Sequence, residues 1–323
     1  MVFGRSDPRV TQALREWDTV APDLGMDPRT YRSKLIWQKQ DKGRSHVVIG
    51  LNGPRRLILK RFFEVPEDAA LIETVAAQRD AFERLRENGQ AHAPEVLYAS
   101  PDAGFVLMAE ATGKTLNDHL VAGRAHAPLL RRAGAWLDAF HRSGQVERRT
   151  YQPKFMINHM ARLSESVASG DLRVNEAEAF IRCCANLPQM AVHGQETVST
   201  IKHGDFNLRN ILLGPDGATG LDFKPMTNAP VGFDIARLLM DYAELFQPER
   251  QFLNDETLDA FFDGYDLVSR DDPGVRFLPY VQLLTDWRTV PADADQRSWR
   301  QDQRMAAIAR LADVAFCTTK NGP

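Results

Sequence analysis

The run His203-Gly-Asp-Phe-Asn-Leu-Arg-Asn210, with Asp222 following twelve residues after Asn210 in Leu221-Asp-Phe223, constrains this chain more than any other feature. Of the eight histidines, only His203 has an aspartate two residues on and an asparagine seven residues on, so composition alone does not account for the spacing. A loop aspartate can accept a proton from a hydroxyl. An asparagine carbonyl and a second carboxylate can hold the hard, oxygen-seeking cation that bridges nucleotide phosphates. On that chemistry the stretch reads as a phosphoryl-transfer centre, with Asp205 as the base and Asn210 and Asp222 as ligands of Mg2+.

A chain of 323 residues exceeds what one hydrophobic core usually organises, which predicts two lobes. Strand-like segments at 34–40, 46–51, 56–62, 95–99 and 104–109 surround one helical stretch near 68–88, where Leu71, Ile72, Val75, Phe82 and Leu85 fall at mostly helical spacing. From about residue 114 helical patterns dominate. The expected fold class is therefore α+β, with a small, mainly antiparallel sheet lobe over 1–110 and a larger, mainly helical lobe over 111–323. Within the first thirty residues, Val10, Leu14 and Trp17 could form one face of a short helix, although the role of this extension is left open. Met305, Ile308, Leu311 and Val314 predict a helix over 300–316.

A net charge of -3 gives no footprint for duplex nucleic acid, so nucleic acid is excluded as a partner. The start, Met-Val-Phe-Gly-Arg-Ser-Asp-Pro, lacks the apolar stretch of a secretory signal, and no segment approaches a membrane span; the expectation is a cytoplasmic protein without a membrane partner. Cys183 and Cys184 are adjacent and Cys317 is distant, which fits buried thiols better than a disulfide framework or a metal site.

In the strand over 56–62, Ile58 and Lys60 share one face while Leu57 and Leu59 point the other way. A lysine in that setting can pair with nucleotide phosphates, or it can snorkel from an edge strand to water; the downstream centre favours the first. Asp41-Lys-Gly-Arg-Ser-His46 joins two strands, and Gly43 there would let backbone N–H groups approach phosphate oxygens, which singles out Gly43 and Ser45.

Taken with Val231-Gly-Phe-Asp-Ile-Ala-Arg237, the motifs His203–Leu213 and Leu221–Phe223 resemble those of the aminoglycoside phosphotransferase and choline kinase family of small-molecule kinases, over roughly residues 34–266. That resemblance implies the bilobal protein-kinase-like fold and ATP with Mg2+ as cofactors. It implies Asp205 as catalytic base, Asn210 and Asp222 as metal ligands, Lys60 on phosphates, and Gly43 and Ser45 in the phosphate loop. It further implies a hinge near Glu110 and Thr112 whose backbone meets adenine, with His203 and Asp234 supporting the catalytic loop. Aligning Phe82 and Leu85 with the family's apolar pair puts Gln78 where a glutamate usually pairs with the lysine, leaving the partner of Lys60 open between Glu73 and Asp80 on other helical faces.

Arg209 reads as a donor to the transferred phosphoryl oxygens or as a loop-bracing salt bridge, and Asn207 as a phosphate contact or a loop cap. The acidic stretch 234–266, including Asp241, Glu244, Asp255, Glu256, Asp259 and Asp263, could favour an amine-bearing acceptor or simply be solvated helix faces. Trp17, Trp37, Trp136, Trp287 and Trp299 could wall a quaternary ammonium group or belong to the core. The favoured reading is an ATP- and Mg-dependent transfer of the γ-phosphoryl to a hydroxyl of a sugar, amino sugar, aminoglycoside or amino alcohol. The alternative is a nucleotide-binding pseudokinase acting as a regulatory module. A protein kinase fits less well: no arginine lies between His203 and Asp205, and five residues separate Phe223 from Ala229.

Overall fold

The computed structural model describes residues 7–41, 44–63, 68–247 and 251–317. The elements run α1 (Pro8–Val20), β1 (Arg32–Asp41), β2 (Arg44–Asn52), β3 (Leu57–Phe62), α2 (Asp68–Leu85), β4 (Ala91–His92), β5 (Val96–Ser100) and β6 (Phe105–Ala109). They continue with β7 (Lys114–Thr115), α3 (Leu116–Val121), α4 (His126–Arg142), β8 (Glu147–Thr150), α5 (Lys154–Ser169), α6 (Ala177–Asn186), β9 (Glu196–Ile201), β10 (Ile211–Gly214), β11 (Gly217–Gly220) and β12 (Asn228–Pro230). Four helices close the sequence: α7 (Gly232–Phe246), α8 (Asp255–Phe262), α9 (Pro273–Thr289) and α10 (Trp299–Cys317). By packing, the chain forms two units: residues up to Gly113 together with Gly214–Met226, and Lys114–Leu213 together with the chain from Thr227 onward.

The first unit is built on an antiparallel sheet of order β1-β2-β3-β6-β5. Strand alternation gives this sheet two apolar faces. One presents Val47, Ile49, Leu51, Leu57, Leu59, Phe105 and Leu107 and is covered by Ala13 and Trp17 of α1 and by Ala21 just after it. The other presents Val106, Met108 and the partly buried Ile58 to Leu71 and Val75 of α2. The N-terminal segment is thus a lid over one face of the sheet, started by Asp7, whose carboxylate accepts the Arg9 N–H. It is also tied down by polar contacts: Arg9 Nη1 donates to Ser45 Oγ at 3.0 Å, and Arg61 Nη2 donates to Glu16 at 3.0 Å. β4 and β11 pair in parallel, Ala91 opposite Ala218, in the same unit.

The second unit is mainly helical, as the apolar periodicity predicts, but it also holds a three-stranded antiparallel sheet of order β12-β9-β8 and the pair β7–β10. Its core joins α5, α6, α7, α9 and α10 through residues such as Met160, Phe180, Met240, Phe277, Trp287, Ile308 and Leu311. A Cβ on Gly232, at the start of α7, would stand 2.6 Å from the carbonyl carbon of Gly274 at the start of α9, so these two helix starts approach as closely as they do because residue 232 is glycine. Cys183 and Cys184 are buried free thiols, and burial pushes the Cys184 thiol up to about 12.

Trp17, 2% exposed and edge-on to Tyr31 at 5.4 Å, is the largest side chain that α1 places on the sheet. Trp17→Ala is expected to cost about 3–5 kcal/mol, the usual range for deleting a buried aromatic. Chemical denaturation checks it, with the loss confined to the transition of the first unit.

Candidate active site

Within the second unit, the segment 203–210 is a loop whose shape is fixed from beneath by one carboxylate. Asp234, in the first turn of α7, accepts the His203 N–H on Oδ2 at 2.7 Å and the Gly204 N–H on Oδ1 at 2.9 Å. Gly204 has φ +83°, a backbone region open to glycine at little steric cost. Asp234 is 1% exposed and also lies 3.1 Å from His141 Nε2, whose Nδ1 meets the Tyr265 hydroxyl at 2.9 Å. Burial raises the Asp234 carboxyl, but the hydrogen bond and charge of His141, the nearby His203 and the Gly204 N–H outweigh it and hold the carboxyl below its ordinary range. Phe206 adds an apolar anchor, stacked on Trp136 at 5.3 Å, and His203 lies edge-on to the same indole.

The loop then presents Asp205. Its Oδ1 accepts from Asn207 Nδ2 at 3.0 Å and from Arg237 Nε at 3.2 Å, and its Oδ2 accepts from Asn210 Nδ2 at 3.3 Å. Because the Asn210 amide nitrogen also donates to the Asp205 carbonyl at 2.9 Å, the amide turns its own oxygen the other way, as a cation ligand requires. Asn207 Oδ1 accepts the Arg209 N–H at 2.9 Å, an Asx turn, so its loop-capping reading is the one realised. Arg209 is exposed and forms no ion pair among the described residues, so the loop-bracing reading finds no partner.

Within the first unit, Lys60 and Asp222 form an ion pair. Asp222 takes φ +61°, a conformation uncommon outside glycine that recurs where a side chain is held for function. The two carboxylates left open as partners of Lys60 do not pair with it: Asp80 pairs with Arg84 at 2.7 Å, and Glu73 is exposed. Gln78 is buried and donates to the Pro94 carbonyl at 2.8 Å. Register places Trp37, Val48 and Lys60 in one row across β1, β2 and β3, and so on one face. His46 lies on that face too, its ring 5.3 Å from Phe62. Burial, followed by the charges of Lys60 and Lys39, pushes the His46 imidazole down against the opposing pull of Asp222.

Ser45 turns the other way, buried on the α1 side with its hydroxyl accepting from Arg9. Gly43 lies outside the described residues. At the anticipated hinge, the Glu110 N–H donates to the Arg56 carbonyl at 3.0 Å and the Glu110 carboxylate pairs with Arg56, while Thr112 is exposed.

The acidic stretch divides in two. On α8, Asp255 and Asp259 pair with Arg270, while Glu256 and Asp263 are exposed, as solvated helix faces would be. On α7, Asp241 accepts the Leu208 N–H at 3.1 Å and Glu244 meets Arg304 Nε at 2.7 Å, so both are inside a network of charges. Three tryptophans, Trp17, Trp136 and Trp287, are core; Trp37 and Trp299 are exposed. His141, Arg237 and Asp286 escaped the sequence reading. A signal for Arg237 existed: Asp234, Arg237, Asp241 and Glu244 recur at helical spacing along an otherwise apolar helix, which marks one charged stripe.

Gln78→Glu would set a carboxylate against the Pro94 carbonyl and is expected to destabilise by about 1–3 kcal/mol, read by denaturation. Glu244 gives a pH test. Burial and then Asp286 push its carboxyl from 4.5 up to about 8, against Arg304. Between those values the folded state holds a proton that the unfolded chain releases, so stability falls as pH rises through this window and levels off above it. In Glu244→Gln that contribution to the decline in melting temperature is expected to disappear.

The model of the phosphotransferase enzyme family (APH) matches residues 39–278. No curated protein sequence matches the chain. Among solved structures, amicoumacin kinase hAmiN in complex with AMP-PNP, Ca2+ and Ami is 14% identical, with 95% of this chain and 96% of that one covered at a TM-score of 0.57. The macrolide 2'-phosphotransferase MphH from Brachybacterium faecium is 15% identical over 93% and 98%, at 0.55. An ethanolamine kinase from Plasmodium vivax is 10% identical over 98% and 92%, at 0.56. At these identities the likeness shows the fold, which is α+β and kinase-like. Because the family model spans well over half of its length, the chain belongs to the phosphotransferase enzyme family.

Proposed function

We propose that the protein transfers the γ-phosphoryl of ATP, with Mg2+, to a hydroxyl of a small molecule such as a sugar, amino sugar, aminoglycoside or amino alcohol. The observation that carries this reading is the Asp205 carboxylate, held by Asn207, Asn210 and Arg237 yet 29% exposed on its side chain. A carboxylate so oriented can align an acceptor hydroxyl and take its proton late in a loose transition state, where positioning does most of the work. The donor set suits a hard cation: Asn210 turns its amide oxygen away from the loop, and Asp222 supplies a carboxylate. Charge building on the phosphate oxygens would be offset by a cation held through those two residues, with Lys60 on the phosphates and Arg209 as a further donor.

Residues 1–110 would then serve as the nucleotide-phosphate lobe and 111–323 as the lobe of the catalytic loop and acceptor, with Glu110 and Thr112 near adenine. A small acceptor is favoured because nine residues, 223–231, separate Asp222 from α7 and three of them form β12, which leaves no long peptide-docking segment. The similar structures are of kinases and phosphotransferases named for amicoumacin, macrolides and ethanolamine. Gln78 has a structural role in its bond to Pro94, so its identity carries no argument for a non-catalytic module. No described helix is long and apolar enough to cross a membrane.

Nucleoside-diphosphate release with Mg-ATP across a panel of those acceptors tests the reading. Asp205→Asn is expected to lower acceptor-dependent turnover by about 10²–10⁴-fold, with nucleotide affinity changed little. Equal turnover in the variant would remove Asp205 as base.

A further inference from the structure

Behind Asp205 lies a row of alternating charges that the proposed chemistry does not use. Arg237 on α7 donates through Nε to Asp205 Oδ1 at 3.2 Å, and its Nη1 stands 3.8 Å from Asp286 Oδ1 on α9. Asp286 is 4% exposed; Gln282 Nε2 donates to its Oδ2 at 2.9 Å, and Arg304 Nη2 of α10 lies 2.9 Å from its Oδ1. Arg304 in turn holds Glu244 on α7. Burial disfavours the Arg237 cation, but Asp286, Asp241 and Asp205 together more than compensate, so the guanidinium stays charged.

The contacts that Asn207 and Asn210 make to Asp205 come from the same loop and move with it. Arg237 joins the carboxylate to a helix, and Asp286 of α9, itself paired with Arg304 of α10, faces that guanidinium from the other side. A planar guanidinium hydrogen-bonded at Nε and facing a buried carboxylate at Nη1 has a preferred orientation, which a lysine at the same place would lack.

We propose that Arg237 is a positioning residue for the Asp205 carboxylate, and that Asp286, backed by Arg304, sets the orientation of Arg237, so that helices α9 and α10 determine where the base points. The proposal rests on the reading of Asp205 as base. Small displacements of a reacting group can cost about 10²-fold in rate, so the relay should show in kcat more than in KM.

The test uses the full chain and the acceptor that the wild type turns over fastest, comparing Arg237→Met, Arg237→Lys, Asp286→Asn, the double variant Arg237→Met/Asp286→Asn and Asp205→Asn. Arg237→Met is expected to lower kcat by roughly 10–100-fold with KM for both substrates within about threefold, and Arg237→Lys to recover part of the loss. Asp286→Asn should lower kcat in the wild-type background and have little further effect once Arg237 is gone, a non-additivity that general loss of stability would not give. If Arg237→Met does not fold, Asp286→Asn and Arg237→Lys carry the same kcat-against-KM test. Unchanged kcat in the Arg237 variants, or additive losses in the double variant, would overturn the proposal while Asp205→Asn remains inactive. Full turnover by Asp205→Asn, or none by the wild type with any acceptor, would overturn the base assignment and the proposal with it.

Discussion

Burying a carboxylate costs several kcal/mol unless its oxygens are used, and Asp234 uses both. Two loop N–H groups and an imidazole converge on a side chain that is 1% exposed. The loop 203–210 has no regular backbone ladder of its own, so its N–H groups need partners from elsewhere. Asp234 supplies two of them, Asp241 a third at Leu208 and the Asn207 side chain a fourth at Arg209, while the Asn210 N–H donates to the Asn207 carbonyl. Stacking of Phe206 on Trp136 adds the apolar half of the anchorage. The geometry of Asp205 is therefore inherited from α7 and α4, both deep in the second unit.

The first unit solves a different problem. A five-stranded sheet with two apolar faces needs two covers, and α1 and α2 provide one each. Strand alternation decides which side chains remain for chemistry: Leu57 and Leu59 serve the α1 face, while Ile58 and Lys60 serve the other. The same alternation separates Ser45 from His46, adjacent residues that face opposite ways. A side chain such as Ser45 can be near a turn in sequence and still be given over to packing and hydrogen bonding beneath it.

Much of this was legible in the chain. The strands at 34–40, 46–51, 56–62, 95–99 and 104–109 each correspond to a strand of the sheet, and the helices predicted from Leu71, Val75 and Leu85, and from Met305, Ile308 and Leu311, form where their apolar periodicity places them. The small sheet of the second unit was not legible. Glu147-Arg-Arg-Thr150 is fully exposed and carries no apolar alternation, so its strand exists through pairing with β9. Around the loop, the resemblance to the family implies His203 and Asp234 as supports, whereas His141 and Asp286 meet Asp234 and Arg237 from distant helices with no local signature. The charged stripe on α7 was visible, but whether it faced water, a ligand or two arginines depends on α9 and α10, which periodicity does not orient.

The lid formed by α1 bears on where this protein begins as a folding unit. The segment shared with the family starts at residue 39, inside β1, and stops at 278, inside α9. A fragment cut at those limits would lose Trp17 and expose the row from Val47 to Leu107 to solvent. It would also lose Asp286 and Arg304, leaving Arg237 on α7 beside the loop without the two helices that orient it. What is shared by descent is smaller than what must be present for the sheet to stay covered and the loop to stay aimed. The residues outside the common segment are structural members of the enzyme, and the boundary drawn by likeness is not a boundary at which the polypeptide can be divided.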